Sequence, residues 1–242
     1  MPNRRILVLG GTSDANVLAR ELLKNDFEVV TSFAGVTENP VLPEGKIRVG
    51  GFGGEEGLFD YLKAEGFVGL ADATHPFAVQ ISRHGFNAAA RAGIPYLRLE
   101  RAAWTPLPAD NWISVQNAEA AVAALPTSAC ALLTIGRKEI AGFLAREDLS
   151  GVARMIEKPP FELPPNWALV LARPPFSVEA EREMLNLHKI THLVTKNAGG
   201  KLTVAKLMAA RAQRIPVVMI ARPLKPPAPA FGSAPALVAA LG

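Results

Sequence analysis

The stretch Arg5-Ile6-Leu7-Val8-Leu9-Gly10-Gly11-Thr12-Ser13-Asp14-Ala15 sets paired glycines and two hydroxyls directly after a short apolar run. Ala15, Leu18, Ala19, Leu22 and Leu23 then recur at i, i+3, i+4, i+7 and i+8, so they line one stripe of a helix. A strand, a glycine turn and a helix N-terminus together aim backbone N–H groups at a phosphate. Gly10, Gly11, Thr12 and Ser13 are therefore candidates to hold a nucleotide pyrophosphate. The turn departs from G-x-G-x-x-G, with Thr12 at the middle position and Ala15 at the third; its alternative is a plain tight turn.

The second predicted strand ends in Thr31-Ser32, with no acid until Glu38. Sites for NAD place an Asp or Glu there to accept from the ribose 2′-OH, whereas hydroxyls can donate to a 2′-phosphate. With Arg48 at the end of the next strand, this pattern favours NADP(H) over NAD(H); the alternative for Arg48 is a solvated surface cation.

Asp72-Ala73-Thr74-His75-Pro76 follows another apolar run, and Pro76 holds His75 extended. Asp72 and His75 could face a ligand, or Asp72 could cap the following helix and His75 could be structural. Lys196-Asn197-Ala198-Gly199-Gly200 forms a second strand–turn–helix junction. It is either an ordinary connecting loop or a binder of carboxylate and phosphate oxygens. Gly136-Arg137-Lys138, Arg98, Arg101 and Arg222 add cations near strand ends, which suits a ligand with many carboxylates.

Positioning these clusters requires regular elements. Strands are predicted at residues 5–9, 27–33, 47–49, 68–71 and 94–97, alternating with helices at 14–24, 55–64 and 77–92, the rhythm of a doubly wound parallel sheet. After a break near residues 99–115 the rhythm resumes, with strands at 129–134, 152–155, 168–172, 193–195 and 217–220 and helices at 118–125, 178–187 and 202–214. Pro159, Pro160, Pro164 and Pro165 mark a hairpin region. The proline-rich tail from Arg222 cannot be helical or a central strand. It is read as a surface run before a last helix at 235–241. The expected fold is α/β: two Rossmann-like or flavodoxin-like parallel-sheet domains, a dinucleotide-binding domain over 1–99 and a substrate domain over 100–242. A cleft between them at the carboxyl ends of the strands is where ligands are expected.

Of the 242 residues, 49% are hydrophobic and 20% charged, which excludes a disordered chain. Apolar runs are too short for a membrane span, and the first strand begins too early to leave room for a signal peptide. Cys130 is the single cysteine, which excludes intrachain disulfides, CxxC chemistry and thiolate metal clusters; no metal site is expected. A cytoplasmic location is the simplest fit. The net charge of +4 is dispersed, and no basic stripe with interleaved aromatics points to nucleic acid.

In this order, several clusters resemble the precorrin-6A reductase family and its cobalt-precorrin counterpart. They are Leu9-Gly10-Gly11-Thr12, Thr31-Ser32 with Ala34-Gly35, Arg48-Val49-Gly50-Gly51 and Asp72-Ala73-Thr74-His75-Pro76-Phe77-Ala78, followed by Pro95-Tyr96-Leu97-Arg98 with Glu100-Arg101, Thr134-Ile135-Gly136, and Thr195-Lys196-Asn197 with Gly199-Gly200. Ala102 and Ala198 depart from the pattern, which favours proline and serine there.

The resemblance implies hydride transfer from NADPH to a ring double bond of a polycarboxylate tetrapyrrole in cobalamin biosynthesis. Gly10, Gly11, Thr12 and Ser13 are then expected at the pyrophosphate, Thr31, Ser32 and Arg48 at the adenosine ribose phosphate, and Asp72, Thr74 and His75 at the nicotinamide end, with Gly50 and Gly51 also among the coenzyme-binding residues. Arg137, Lys138, Lys196, Asn197, Gly199 and Gly200 would grip substrate carboxylates. Asp72, His75 and Lys196 are the candidate catalytic groups; for the proton itself His75, Lys196 and water stay open. Partners would be the small-molecule substrate and transient contacts with neighbouring pathway enzymes. The rival readings are a non-catalytic NADP-sensing module and an NADP-dependent reductase of another anionic substrate.

Overall fold

The computed structural model describes residues 4–33 and 42–241; Ala34, Gly35 and Glu38, named above, lie outside them. The chain forms two compact units, one from residues 1–102 and 223–242, the other from 103–222.

The first unit runs β1 (Arg5–Leu9), α1 (Ser13–Lys24), β2 (Glu28–Phe33), β3 (Lys46–Val49), α2 (Glu55–Ala64), β4 (Gly69–Asp72), α3 (Val79–Ala92) and β5 (Tyr96–Leu99). The second runs β6 (Trp112–Val115), α4 (Ala118–Ala124), β7 (Cys130–Thr134), α5 (Ala141–Leu144), β8 (Ser150–Met155), β9 (Trp167–Leu171), α6 (Val178–Leu187), β10 (His192–Lys196), α7 (Ala205–Ala212) and β11 (Val217–Ile220). The chain then returns to the first unit with β12 (Ala230–Phe231) and α8 (Ala234–Ala239).

Each unit holds a six-stranded sheet, in the orders β12-β5-β4-β1-β2-β3 and β6-β11-β10-β7-β8-β9, and every pairing is parallel. Central strands of a parallel sheet are covered on both faces, which explains the unbroken apolar runs. In β1 the alternate residues Ile6 and Val8 pack with α1 and α8, while Leu7 and Leu9 pack with α2 and α3. In the second unit Leu132, Leu193, Val217 and Met219 pack with Leu185 of α6 and Leu207, Ala209 and Ala210 of α7. Among the described residues no helix is long and apolar enough to cross a membrane.

Three expectations change. The expected hairpin after β8 is instead a parallel pair, Gly151 to Met155 opposite Trp167 to Leu171, so the proline-rich segment 156–166 is a crossover without a helix. The helix expected from Phe77 starts at Val79, because Ala78 N–H first closes a turn onto His75 O at 2.8 Å. The last twenty residues, grouped above with the second domain, belong to the first unit: β12 pairs with β5, and Leu237 and Val238 of α8 close the α1 face.

Candidate active site

In the first unit the strand order reverses at β1: β2 lies on one side and β4 on the other, and the helices that follow β1 and β4 cover opposite faces. The carboxyl ends of β1 and β4 therefore flank the crevice where ligands bind in such sheets. Gly10–Ser13 follow β1, and 73–78 follow β4.

Gly10 N–H donates to Ser32 O at 2.9 Å, and a Cβ on Gly10 would lie 2.8 Å from the Thr31 methyl, so the turn needs glycine to sit this close to β2. Gly11 has φ +96°, and nothing lies within 4 Å of where its Cβ would be. Its exposed backbone and that of Ser13 front the first turn of α1, whose N–H groups have no acceptors inside the helix. Thr12 is the N-cap: its Oγ1 accepts from Ala15 N at 3.1 Å and donates to Ala73 O at 2.7 Å. The single hydroxyl proton thus ties the β1 turn to the β4 turn. Thr12 is thereby a clamp between the two loops.

Near the carboxyl end of β2, Thr31 is fully buried, with no partner for its Oγ1 among the described residues. Its methyl packs beneath the Gly10 turn. Ser32 sits opposite Arg48 in the parallel register. Arg48 donates to Gly50 O at 2.6 Å and to Gly51 O at 3.0 Å and lies over the Phe52 ring, 3.9 Å from its centroid. It is therefore no freely solvated cation. Two of its donors hold the loop that carries Gly50 and Gly51 into α2.

Asp72 ends β4 almost fully buried. Its Oδ1 accepts from Thr74 N at 2.9 Å and Thr74 Oγ1 at 2.6 Å; its Oδ2 accepts from Ser82 Oγ at 2.5 Å and the Tyr96 hydroxyl at 2.7 Å. Lys225 Nζ lies 3.6 Å from Oδ2 and donates to Thr74 Oγ1 at 3.2 Å. Burial alone would push the Asp72 carboxyl up, but the Lys225 charge and the hydroxyls of Ser82, Thr74 and Tyr96 outweigh it and hold it below the usual range. Burial and the Asp72 charge push the Tyr96 phenol far above its ordinary value. Four donors saturate the carboxylate. These bonds make Asp72 the anchor of the 73–78 loop.

His75, half-buried in that loop, accepts the Phe77 N–H at Nδ1 over 3.3 Å, and its ring packs 5.7 Å from that of Phe77. Accepting at Nδ1 places the proton of the neutral ring on Nε2.

The second unit repeats the arrangement where β7 lies between β8 and β10. Gly136, Arg137 and Lys138 follow β7; Lys196 ends β10, and Asn197, Gly199 and Gly200 follow. Lys196 pairs with Glu139, Arg137 Nη1 lies 3.7 Å from Glu157, and Lys138 is exposed. Asn197 Oδ1 accepts from Trp104 N at 2.8 Å and its Nδ2 donates to Trp104 O at 2.9 Å, so the amide clips the two backbone segments together. The Trp104 indole donates to Gly200 O at 3.0 Å, and Arg222 donates to Asn197 O and Ala198 O at 2.8 and 3.0 Å. The turn after β10 is held from within.

Two features escaped the sequence reading. Arg101 Nη1 contacts Asp14 Oδ2 in the first turn of α1 at 2.6 Å. Lys225 reaches Thr74 across 151 positions, and no local periodicity signals such a contact from a proline-rich tail.

The family model for precorrin-6x reductase CbiJ/CobK matches residues 5–242. Over 224 residues the chain is 45% identical to a precorrin-6A reductase of Rhodobacter capsulatus, covering 92% of this chain and 89% of that one. It is 32% identical to a cobalt-precorrin-6A reductase of Priestia megaterium, covering 90% of each. A solved CobK precorrin-6A reductase matches with a TM-score of 0.92 at 41% identity, over 98% of this chain and 95% of that one. With the two parallel sheets and their switch-point loops, this whole-length likeness makes the chain a member of the precorrin-6x reductase family.

Proposed function

We infer that this chain is a precorrin-6A reductase, which adds a hydride and a proton across one carbon–carbon double bond of the macrocycle, with NADPH as the reductant. The observation that carries this reading is 45% identity to precorrin-6A reductases along a chain that spans both units.

The residues present fit the coenzyme. The open, left-handed Gly11 and the first-turn amides of α1 offer donors to a diphosphate. Ser32 and the remaining donors of Arg48 suit a 2′-phosphate better than a 2′-hydroxyl, and no acid among the described residues ends β2. When bound, NADPH supplies the hydride. The protein's part is alignment and charge. Thr12 locks the two loops together, Asp72 fixes the conformation of 73–78, and His75 holds a proton at Nε2. Arg137, Lys138 and Lys196 suit a substrate with many carboxylates, the last once it exchanges Glu139 for a substrate oxygen.

Mixing the protein with NADPH and precorrin-6A tests the reading. Absorbance at 340 nm should fall in step with the pigment spectrum, one coenzyme per macrocycle, and more slowly with NADH. Coenzyme binding without turnover would favour a sensing module. Turnover only with a different anionic substrate would overturn the assignment of the macrocycle.

A further inference from the structure

Lys225 stands three residues into a segment fixed by Pro223, Pro226 and Pro227, whose rings restrict the backbone. Leu224 beside it is 94% exposed, yet the Lys225 side chain is only 6% exposed and turns inward. There it meets Asp72, whose four donors satisfy its lone pairs but leave its charge without a counterion from β4 or α3. A buried charge is tolerated when it is both hydrogen-bonded and paired, and Lys225 completes the second condition. Its donation to Thr74 Oγ1 also fixes which way that hydroxyl points, so its proton goes to Asp72. The ammonium therefore braces the corner from which the His75 loop springs.

We propose that Lys225 is a positioning residue for the reduction: from the returning tail it holds the Asp72–Thr74 corner so that residues 73–78 keep one conformation at the ligand-binding end of β4. This rests on the reading that the crevice beside β1 and β4 takes the coenzyme. Burial, with the like charge of Arg98, holds the Lys225 amine below its ordinary value against the pull of Asp72 and Glu100.

The test uses the full-length protein and the variants Lys225→Met and Lys225→Gln, with Leu224→Ser as a control of the exposed tail. Each is titrated with NADPH and assayed with saturating precorrin-6A. A folded Lys225→Met should lose tenfold or more in kcat while its Kd for NADPH stays within about threefold, because the Gly10–Ser13 turn is untouched. Lys225→Gln can restore the bond to Thr74 without the charge and should fall between it and the wild type. Leu224→Ser should match the wild type. A folded Lys225→Met with a lowered Tm but a kcat within threefold of wild type would show a merely structural role and overturn the proposal. Failure of both Lys225 variants to fold would overturn it as well. If the wild type itself binds no NADPH, the functional reading fails first; if it binds and turns over and the variants do so equally, only the role of Lys225 is lost.

Discussion

Two neighbouring cations are buried in the second unit at very different cost. Arg154 forms a bidentate pair with Glu181, both bonds 2.9 Å long, and stacks on Phe176. Lys206 is as deeply buried, with the face of Trp104 5.2 Å from its Nζ. Burial first, and then the like charge of Arg154, push the Lys206 amine down from 10.5 to about 7, against the pull of Glu181. The folded state therefore binds this proton less tightly than the unfolded chain does. Below pH 7 both states are protonated and the full penalty applies; between 7 and 10.5 the unfolded chain holds more protons, so stability rises with pH across that window. At about 1.4 kcal/mol per pH unit the penalty is roughly 4–5 kcal/mol, less what the Trp104 ring returns. Lys206→Met should accordingly raise Tm at pH 6 and lose most of that advantage by pH 10. Thermal melts at the two pH values check this, and an advantage that stays constant with pH would refute the buried titration.

At the scale of elements, α1 and the β4 loop depend on one hydroxyl. Thr12→Ala removes an N-cap, worth about 1–2 kcal/mol, and strips the Ala73 carbonyl of its donor. The denaturation midpoint should drop with an unchanged slope, NADPH affinity should weaken, and Thr12→Ser should recover both; equal losses in the serine variant would implicate the methyl group instead. Elements of this kind were legible because strand and helix periods are local, and the apolar run of β1 and the stripe of α1 announce themselves within a few residues. The same reading named the turns that follow β1, β4, β7 and β10. It could not see side-chain direction: Thr31 and Ser32 are adjacent hydroxyls, but only the sheet shows that Thr31 packs under Gly10. Nor could it separate parallel from antiparallel pairing for β8 and β9, since a proline-rich connection without a helix looks the same in both. The partners of Asn197 and Asp72, namely Trp104, Tyr96 and Lys225, were not legible because they come from distant parts of the chain.

For the molecule as a whole, the first unit is built from both ends of the chain and the second from an uninterrupted middle. The final twenty residues are thus no appendage. Leu237 and Val238 of α8 bury against α1, Arg98 N–H donates to Pro229 O and Glu100 N–H to Phe231 O, each at 2.9 Å, and Lys225 supplies the counterion of Asp72. Burying a Leu or Val side chain contributes roughly 1.5–3 kcal/mol each, so losing α8, the β12 edge and that counterion approaches the 5–15 kcal/mol that typically separates a folded domain from its unfolded chain. Truncation after Arg222 should therefore unfold the first unit and spare the second. The aromatic residues make the outcome readable, because Trp104, Trp112 and Trp167 all lie in the second unit while Tyr61 and Tyr96 lie in the first. The truncated protein should keep a native tryptophan emission maximum and its cooperative melt, lose a large part of its far-UV circular dichroism, and bind no NADPH. Retention of coenzyme binding after truncation would mean that β1 to β5 stand without the tail, and that α8 and Lys225 are dispensable to the fold that presents the Gly10–Ser13 turn.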